Sequence, residues 1–362
     1  MAHTPKLFQP AHFRSVTTRN RIVVAPMCQY SAEDGLGGDW HIQTLGAKAF
    51  GGAGLVFTEA THVSAIGRIT PGCLGLWNDA QAKLLARVTA IISAAGSVPG
   101  IQIAHAGRKA GTARPWEGGK PIPISAGGWQ PVGASAIAFD EAYTVPQMLS
   151  ASDIADVVDQ FAATARLALA SGFKVVELHA AHGYLLHSFL SPLSNQRNDA
   201  YGGDLNGRAH LLMQIIDATR AVWPSELPLF IRLSCTDWAD GGVTIEDTVA
   251  LCRMLAARGD VDLIDCSSGG NVPYQKIPSL HPGYQVPFAE RVKHGAGIAT
   301  GAVGLISAAS HAEEILGNDR ADLIFLARAI LADPAWPLRA ALALGMKPDL
   351  PPQYLRASLP PI

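Results

Sequence analysis

Two histidines three residues apart, His179 and His182, close a short apolar run that reads Lys174-Val-Val-Glu-Leu-His179, and Tyr184 follows two residues later. Imidazoles at this spacing serve metal ligation, general acid–base work or hydrogen bonding to a substrate oxygen. A metal site needs a third and a fourth ligand nearby, for which Cys28 and His105 are available. The other polar groups at the ends of apolar runs are of a different kind. They are Gln102, Arg232, Ser267-Ser-Gly-Gly270, Thr300-Gly-Ala-Val-Gly304 and Ala327-Arg328. Amide, guanidinium and bare backbone N–H suit a polar, anionic ring system better than a cation, so no metal is expected. Glycine turns let backbone N–H groups approach an anion, and a following helix N-terminus adds a favourable dipole. Thr300–Gly304 precedes a helical stretch and Arg328 supplies a planar positive fork, which makes these two ends a phosphate-binding candidate.

Groups so far apart in sequence act together only if the fold gathers them. The chain alternates short β-branched runs with helical stretches. Strands are expected at 21–26, 55–60, 98–104, 174–179, 229–234, 261–266, 297–300 and 322–327. Helices are expected at 40–50 with Asp39 as N-cap, 79–95 closed by Gly96, 152–170 closed by Gly172, 208–222, and 245–258 capped by Thr244. The strands are continuously apolar, as parallel strands covered on both faces are. Eight such units with right-handed crossovers favour a closed (β/α)8 TIM barrel over an open sheet, a fold whose chemistry sits at the carboxyl ends of its strands. Residues 105–149, rich in Gly, Pro and Trp, break the rhythm and read as a capping excursion after strand 3. The whole chain, 1–362, reads as one domain.

Composition narrows the class. The 362 residues are 48% hydrophobic and only 16% charged, with a net charge of −2. That balance argues against a nucleic-acid binder or a polybasic membrane patch. No apolar run approaches a membrane span, and the opening segment lacks the apolar core of a secretory leader. Five scattered cysteines without a CxxC pair suit a reducing cytoplasm. There is no GxGxxG after the first strand, no GxxxxGK[ST] loop and no HExxH. The low charge and the Ala- and Leu-rich helix from Phe161 to Ala170 point to helix faces covered by a second copy of the chain.

The segments Arg19–Ile22, Ala25-Pro-Met-Cys-Gln-Tyr30, Gly67–Thr70, Gln102-Ile-Ala-His-Ala-Gly-Arg-Lys109, Glu177-Leu-His-Ala-Ala-His-Gly-Tyr184, Ser194–Gly203 and Thr300–Ile306 together resemble the Old Yellow Enzyme family of flavin-dependent ene-reductases. The likeness is to its bacterial YqjM-like and xenobiotic-reductase-like branch, and it runs from about Leu7 to Arg356. It implies a barrel holding FMN non-covalently at its mouth, with NADPH or NADH as reductant. By resemblance, Ala25, Pro26, Met27 and Cys28 line the flavin, with Ala60 and Gln102 against the ring and Arg232 near N1/O2. Gly304, Ala327 and Arg328 hold the phosphate, and Ala302 is a further cofactor-binding residue. His179 and His182 bind the carbonyl or nitro oxygen of an activated alkene, and Tyr184 protonates its α-carbon. Tyr30 and Lys109 flank the substrate, and Arg356 reaches a neighbouring subunit's site in a homodimer or homotetramer, through the C-terminal tail 345–362. The implied cycle is ping-pong, with hydride carried from NAD(P)H to flavin N5 and on to the alkene.

Two departures from the family pattern stand out. No Trp follows Arg356, and Ala327 replaces a usual Gly. The chain lacks the cysteine cluster and the length of a 2,4-dienoyl-CoA reductase. It has no inner strand-end lysine for a Schiff-base aldolase, and it keeps the His-His-Tyr set that a mere ligand binder would not need.

Overall fold

Runs of Val, Ile and Leu with no polar alternation have nowhere to go but a sheet buried on both faces. In the computed structural model, which describes residues 4–357, they form β1 (Ile22–Val24), β2 (Leu55–His62), β3 (Val98–Ala104), β4 (Val175–Ala180), β5 (Leu229–Ser234), β6 (Leu263–Ser267), β7 (Ala299–Ala302) and β8 (Leu323–Leu326). Every pairing is parallel, and β8 closes on β1, so the sheet is a complete eight-stranded barrel with no free edge. The register sets Gln102 opposite Glu177, His179 opposite Arg232, and Arg232 opposite Asp265. Polar residues from four strands thus converge inside one barrel.

The lower interior is aromatic. Phe57 stacks on Phe325 with ring centres 6.1 Å apart, and Phe230 lies 6.3 Å from Phe57. Phe13, from a hairpin pairing Ala11–Phe13 with Val16–Thr18, packs edge-on against Phe230 at 5.1 Å. This apolar floor closes the amino end of the barrel and leaves the carboxyl end for polar groups.

The outer layer contains α1 (Asp39–Phe50), α2 (Asp79–Ala94), α3 (Ala151–Ala170), α4 (Leu185–Leu190), α5 (Leu205–Arg220), α6 (Ile245–Arg258), α7 (Val286–Ala296), α8 (Ala309–Gly317), α9 (Arg328–Ala332) and α10 (Trp336–Ala343). Side chains of Asn78, Ser150, Asp204 and Thr244 each accept a first-turn N–H, which fixes where α2, α3, α5 and α6 begin. The Asp204 cap starts α5 three residues before the expected Arg208. At α1 the cap is Gly38 rather than Asp39, and its N–H donates to His41 Nδ1 at 3.0 Å. On α3, Phe161, Ala165 and Ala168 are buried, and the helix packs against β3, α2 and α5. The same chain thus covers the Phe161–Ala165–Ala168 face of this segment, while Ala163 and Ala170 stay exposed.

Residues 105–149 form short 3₁₀ turns and a two-residue parallel pairing of Val132–Gly133 with Gln147–Met148. The excursion is fastened down at both sides. Trp129 Nε1 donates to Ile66 O at 2.8 Å, and the Arg197 guanidinium donates to Ala134 O and Leu149 O. No helix among the described residues is long and apolar enough to cross a membrane.

Candidate active site

β4 delivers His179 to the mouth and then turns sharply. His182 and Gly183 both have left-handed backbones, with φ of +59° and +74°. A Cβ on Gly183 would sit 2.3 Å from Gly270 O, so only glycine fits against the loop that follows β6. The turn sends His182 back over His179 and places Tyr184 just before α4. The His182 N–H donates to Ser234 Oγ at 2.9 Å.

The two imidazoles meet edge to face, with ring centres 5.1 Å apart, and Tyr184 lies 5.0 Å from His179 in the same manner. His179 Nδ1 accepts the N–H of Ala181, which leaves its proton on Nε2. That nitrogen makes only a long 3.4 Å contact with His182 Nδ1, while His182 Nε2 lies 2.7 Å from Ser267 Oγ. Burial, then the nearby Arg232 charge, holds both imidazoles well below their usual pKa. Both are therefore neutral around pH 7, and each carries one N–H. Burial pushes the Tyr184 phenol well above its usual value, so it keeps its proton.

Beside this trio, Cys28, Tyr30, Trp129 and Tyr184 pack on a small apolar cluster of Ile69, Cys73, Ala106 and Ala110. Burial, helped by Cys73 and Glu59, raises the Cys28 thiol, so it stands there as an uncharged thiol. Tyr30 adopts φ of +52°, and its carbonyl accepts from Arg114 Nε at 2.9 Å. The preceding residue is held from below: the Gln29 N–H donates to Glu59 Oε2, and Glu59 Oε1 lies 3.2 Å from His41 Nε2.

Lys109, expected to flank the substrate, is tied into the loops of the mouth. Its ammonium donates to His182 O and Gly270 O at 2.9 Å each and lies over the rings of Phe139 and Tyr184. It clamps the loops after β4 and β6 together beneath the excursion. Burial lowers its pKa to about 8.

One layer further in, four polar side chains fill the barrel. Gln102 Nε2 donates to Glu177 Oε1 at 2.8 Å, and Arg232 Nε lies 3.1 Å from Asp265 Oδ2. Glu177 and Asp265 are wholly buried and Arg232 nearly so. Burial raises both carboxyls, Asp265 to about 6, with Asp265 adding to the rise of Glu177 and Arg232 opposing both. Gln102 thus commits one amide N–H to Glu177, which leaves its second N–H and its carbonyl oxygen for a ligand.

A cavity of about 320 Å³ opens from Arg232 and Ser267 at one end to Gly304, Ala327 and Arg328 at the other. Gly304 has φ of +122°, followed by Leu305 at +55°, so the chain turns with its backbone towards the cavity. Arg328 is exposed and makes no ion pair among the described residues. Ala327, which stands where the family usually has glycine, has φ of −110°, outside the left-handed region that favours glycine. A cavity with a cation at each end fits an elongated anion, and the donor set suits FMN. The fit rests on Arg232 Nε, buried yet off the hydrogen-bond line to Asp265.

The structure thus gathers Cys28, Tyr30, Lys109, His179, His182 and Tyr184 in one mouth and lines the adjoining cavity with Arg232, Gly304, Ala327 and Arg328. Ala25, Ala60 and Ala302 are buried at the ends of β1, β2 and β7, and Pro26 and Met27 are partly exposed. Arg356 is not at this mouth. It is exposed beyond a 3₁₀ turn at Pro352–Tyr354, where the tail runs beside Arg19, Phe50 and Ala95 at the other end of the barrel. Residues 358–362 of the expected interface tail, like the first three of the opening segment, lie outside the described residues. Sequence reasoning missed the partners underneath: Glu59 with His41, Asp265 with Arg232, and His187 with Asp237. A visible signal was there, in carboxylates set within otherwise apolar runs. Among the described residues no three His, Cys, Asp or Glu side chains are grouped to hold a metal ion.

Comparison with known proteins gives consistent matches. The NADH:flavin oxidoreductase / NADH oxidase family pattern matches residues 6–346. An NADPH dehydrogenase of Listeria innocua is 46% identical over 354 residues, 97% of this chain and 99% of that protein. Morphinone reductase, solved in complex with tetrahydroNAD, superposes with a TM-score of 0.77 at 26% identity, covering 97% of this chain and 94% of its own. The old yellow enzyme homologue from Zymomonas mobilis gives 0.78 at 25% identity, over 96% of this chain and 98% of its own.

Proposed function

The chain belongs to the NADH:flavin oxidoreductase / NADH oxidase family, and from that premise we propose that it reduces the C=C bond of α,β-unsaturated carbonyl or nitro compounds at the expense of NADPH. The observation that carries this reading is the placement of a neutral imidazole, His182, and a protonated phenol, Tyr184, each about 5 Å from the neutral ring of His179. Bound FMN supplies the two-electron hydride relay between NADPH and the alkene.

Arg232 is the residue to face the ring end of FMN that turns anionic on reduction. Gly304, Ala327 and Arg328 are the residues to hold its phosphate, and Ala25–Cys28, Ala60, Gln102 and Ala302 wall the ring. His179 and His182 donate N–H to the carbonyl or nitro oxygen, which draws electron density from the double bond and opens its β-carbon to hydride. Neutral imidazoles suit this task, since they polarise without adding a full charge to the dry mouth. Tyr184 gives its phenolic proton to the α-carbon, and Lys109 holds the loop that carries it. Tyr30 and Cys28 close the apolar side of the chamber. NADPH and alkene use the same mouth in turn, which accounts for a ping-pong order without a separate nucleotide fold. Arg356, exposed and remote from its own mouth, is assigned to the site of a second copy in a homodimer or homotetramer.

The test is anaerobic reduction of FMN-loaded protein by NADPH, followed by mixing with 2-cyclohexenone. Tyr184→Phe should slow the alkene step by about 10²-fold or more, the range for lost general acid catalysis, and leave reduction by NADPH within a few-fold. A protein that takes up no flavin, or a Tyr184→Phe variant as fast as the parent, overturns the reading.

A further inference from the structure

The turn that presents His182 and Tyr184 is an unusual piece of backbone: two successive left-handed residues, the first of them a histidine. Such a turn persists only where its surroundings over-determine it. The His182 N–H is held by Ser234 and its carbonyl by Lys109, and the Tyr184 N–H by Ala181 O at 3.2 Å. The remaining N–H, that of Gly183, is buried and donates at 2.8 Å to Nδ1 of His187, one turn into α4.

An acceptor at Nδ1 requires the His187 proton to be on Nε2. Nε2 lies 3.0 Å from Asp237 Oδ1, at an oblique angle, with both side chains almost wholly buried. Asp237 is itself fixed: its Oδ2 accepts the Ser191 hydroxyl at 2.6 Å and the Val243 N–H at 2.9 Å. The carboxylate selects the tautomer, and the tautomer holds the turn. None of these three side chains faces the cavity between Arg232 and Arg328.

We propose that His187 and Asp237 are positioning residues, a buried pair that sets the His182–Gly183–Tyr184 turn and through it the angle at which Tyr184 delivers its proton. The proposal rests on the reading of Tyr184 as proton donor.

The experiment is a double-mutant comparison on FMN-loaded enzyme, read as the single-turnover rate of the alkene step. Variants are His187→Leu, which removes the acceptor, His187→Asn, whose side-chain oxygen stands where Nδ1 was, and Asp237→Asn, each alone and with Tyr184→Phe. His187→Leu should slow the alkene step tenfold or more, and His187→Asn should restore most of it. In the Tyr184→Phe background, His187→Leu should add less than twofold, because the misplaced group is already gone. Should His187→Leu fail to fold, Asp237→Asn carries the same comparison, since an amide NH2 facing Nε2 drives the ring proton to Nδ1 and expels the Gly183 N–H. Its expected loss is three- to tenfold in the parent and none in the Tyr184→Phe background. Losses that multiply fully with Tyr184→Phe, or an Asn at 187 no better than Leu, overturn the proposal. A Tyr184→Phe variant with parental rates would instead overturn the proton-donor reading itself, so the two failures are distinct.

Discussion

Lys109→Met separates the cost of a buried charge from the use made of it. Methionine keeps most of the stem and deletes the ammonium that joins His182 O to Gly270 O. The charge is expensive where it stands: burial, reinforced by Arg108, lowers its pKa from 10.5 to about 8. At 1.36 kcal/mol per unit, the charged form costs about 3 kcal/mol at neutral pH. Its two hydrogen bonds return about 1 kcal/mol each, so near pH 7.5 the variant should match the parent within about 2 kcal/mol. The sign of the pH dependence is fixed. Between pH 8 and 10.5 the unfolded chain still carries the proton and the folded chain has lost it, so stability rises with pH in that window. The variant has no such group, and every other titration is common to both proteins. The parent should therefore gain about 2–3 kcal/mol on the variant between pH 7.5 and pH 10. Urea unfolding of both proteins, free of flavin so that ligand linkage is removed, measures this. A difference that stays flat, or shrinks as pH rises, refutes the argument. The alkene step should slow in the variant even where stability is equal, because the clamp on the His182 loop is gone.

Three further outcomes follow from buried charges and the phosphate end. Asp265→Asn leaves Arg232 uncompensated in the barrel, which should cost about 3–5 kcal/mol of stability and raise the flavin midpoint potential, as a freer cation favours the reduced anion; spectroelectrochemistry showing an unchanged or lower potential would count against the pairing. Arg328→Ala should weaken FMN about tenfold to 100-fold, the loss of a charge-assisted bond of about 1.5–3 kcal/mol, as measured by flavin fluorescence on titration. Burial holds His62 at about 4 while its Nδ1 bonds to Leu74 O. The unfolded chain binds that proton from about pH 6.5 downwards and the folded chain does not, so stability falls by about 3 kcal/mol between pH 6.5 and pH 4. His62→Phe should flatten acid-unfolding curves in that range.

The barrel was legible because its strands carry the signal twice, in composition and in spacing. β3, β5 and α6 begin and end where the pattern places them, since Thr244 and the glycines punctuate them sharply. Where the reading slipped, a side chain outside the repeat decides the boundary, as Asp204 does for α5 and His41 for the Gly38 cap. The mouth residues were legible as polar groups interrupting apolar runs. Their partners were not, because Glu177, Asp265 and Arg232 come from three strands and meet only through the closed register. His187 was hidden for a different reason: it stands in the run Leu185–Leu190, where a buried histidine looks like one more helix residue.

The sparse charge of the sequence has an explanation within one chain. Several of the few ionisable groups are inside: Glu59, Glu177, Arg232, Asp237 and Asp265 are all buried around the mouth. Pairs like these are poor sources of stability, because desolvation offsets their attraction. What Glu59 and Asp237 do here is hold backbone. Glu59 fixes the N–H of Gln29 beside Cys28 and Tyr30, and His187 with Asp237 fixes the N–H of Gly183 between His182 and Tyr184. The loops on the two sides of the mouth are thus each pinned from below by a histidine–carboxylate contact, His41–Glu59 on one and His187–Asp237 on the other. A mouth that must hold several groups in one geometry needs its loops fixed without bulk inside the chamber. Bonds to backbone N–H from a layer beneath meet that need, and they require the charges to be where solvent is not.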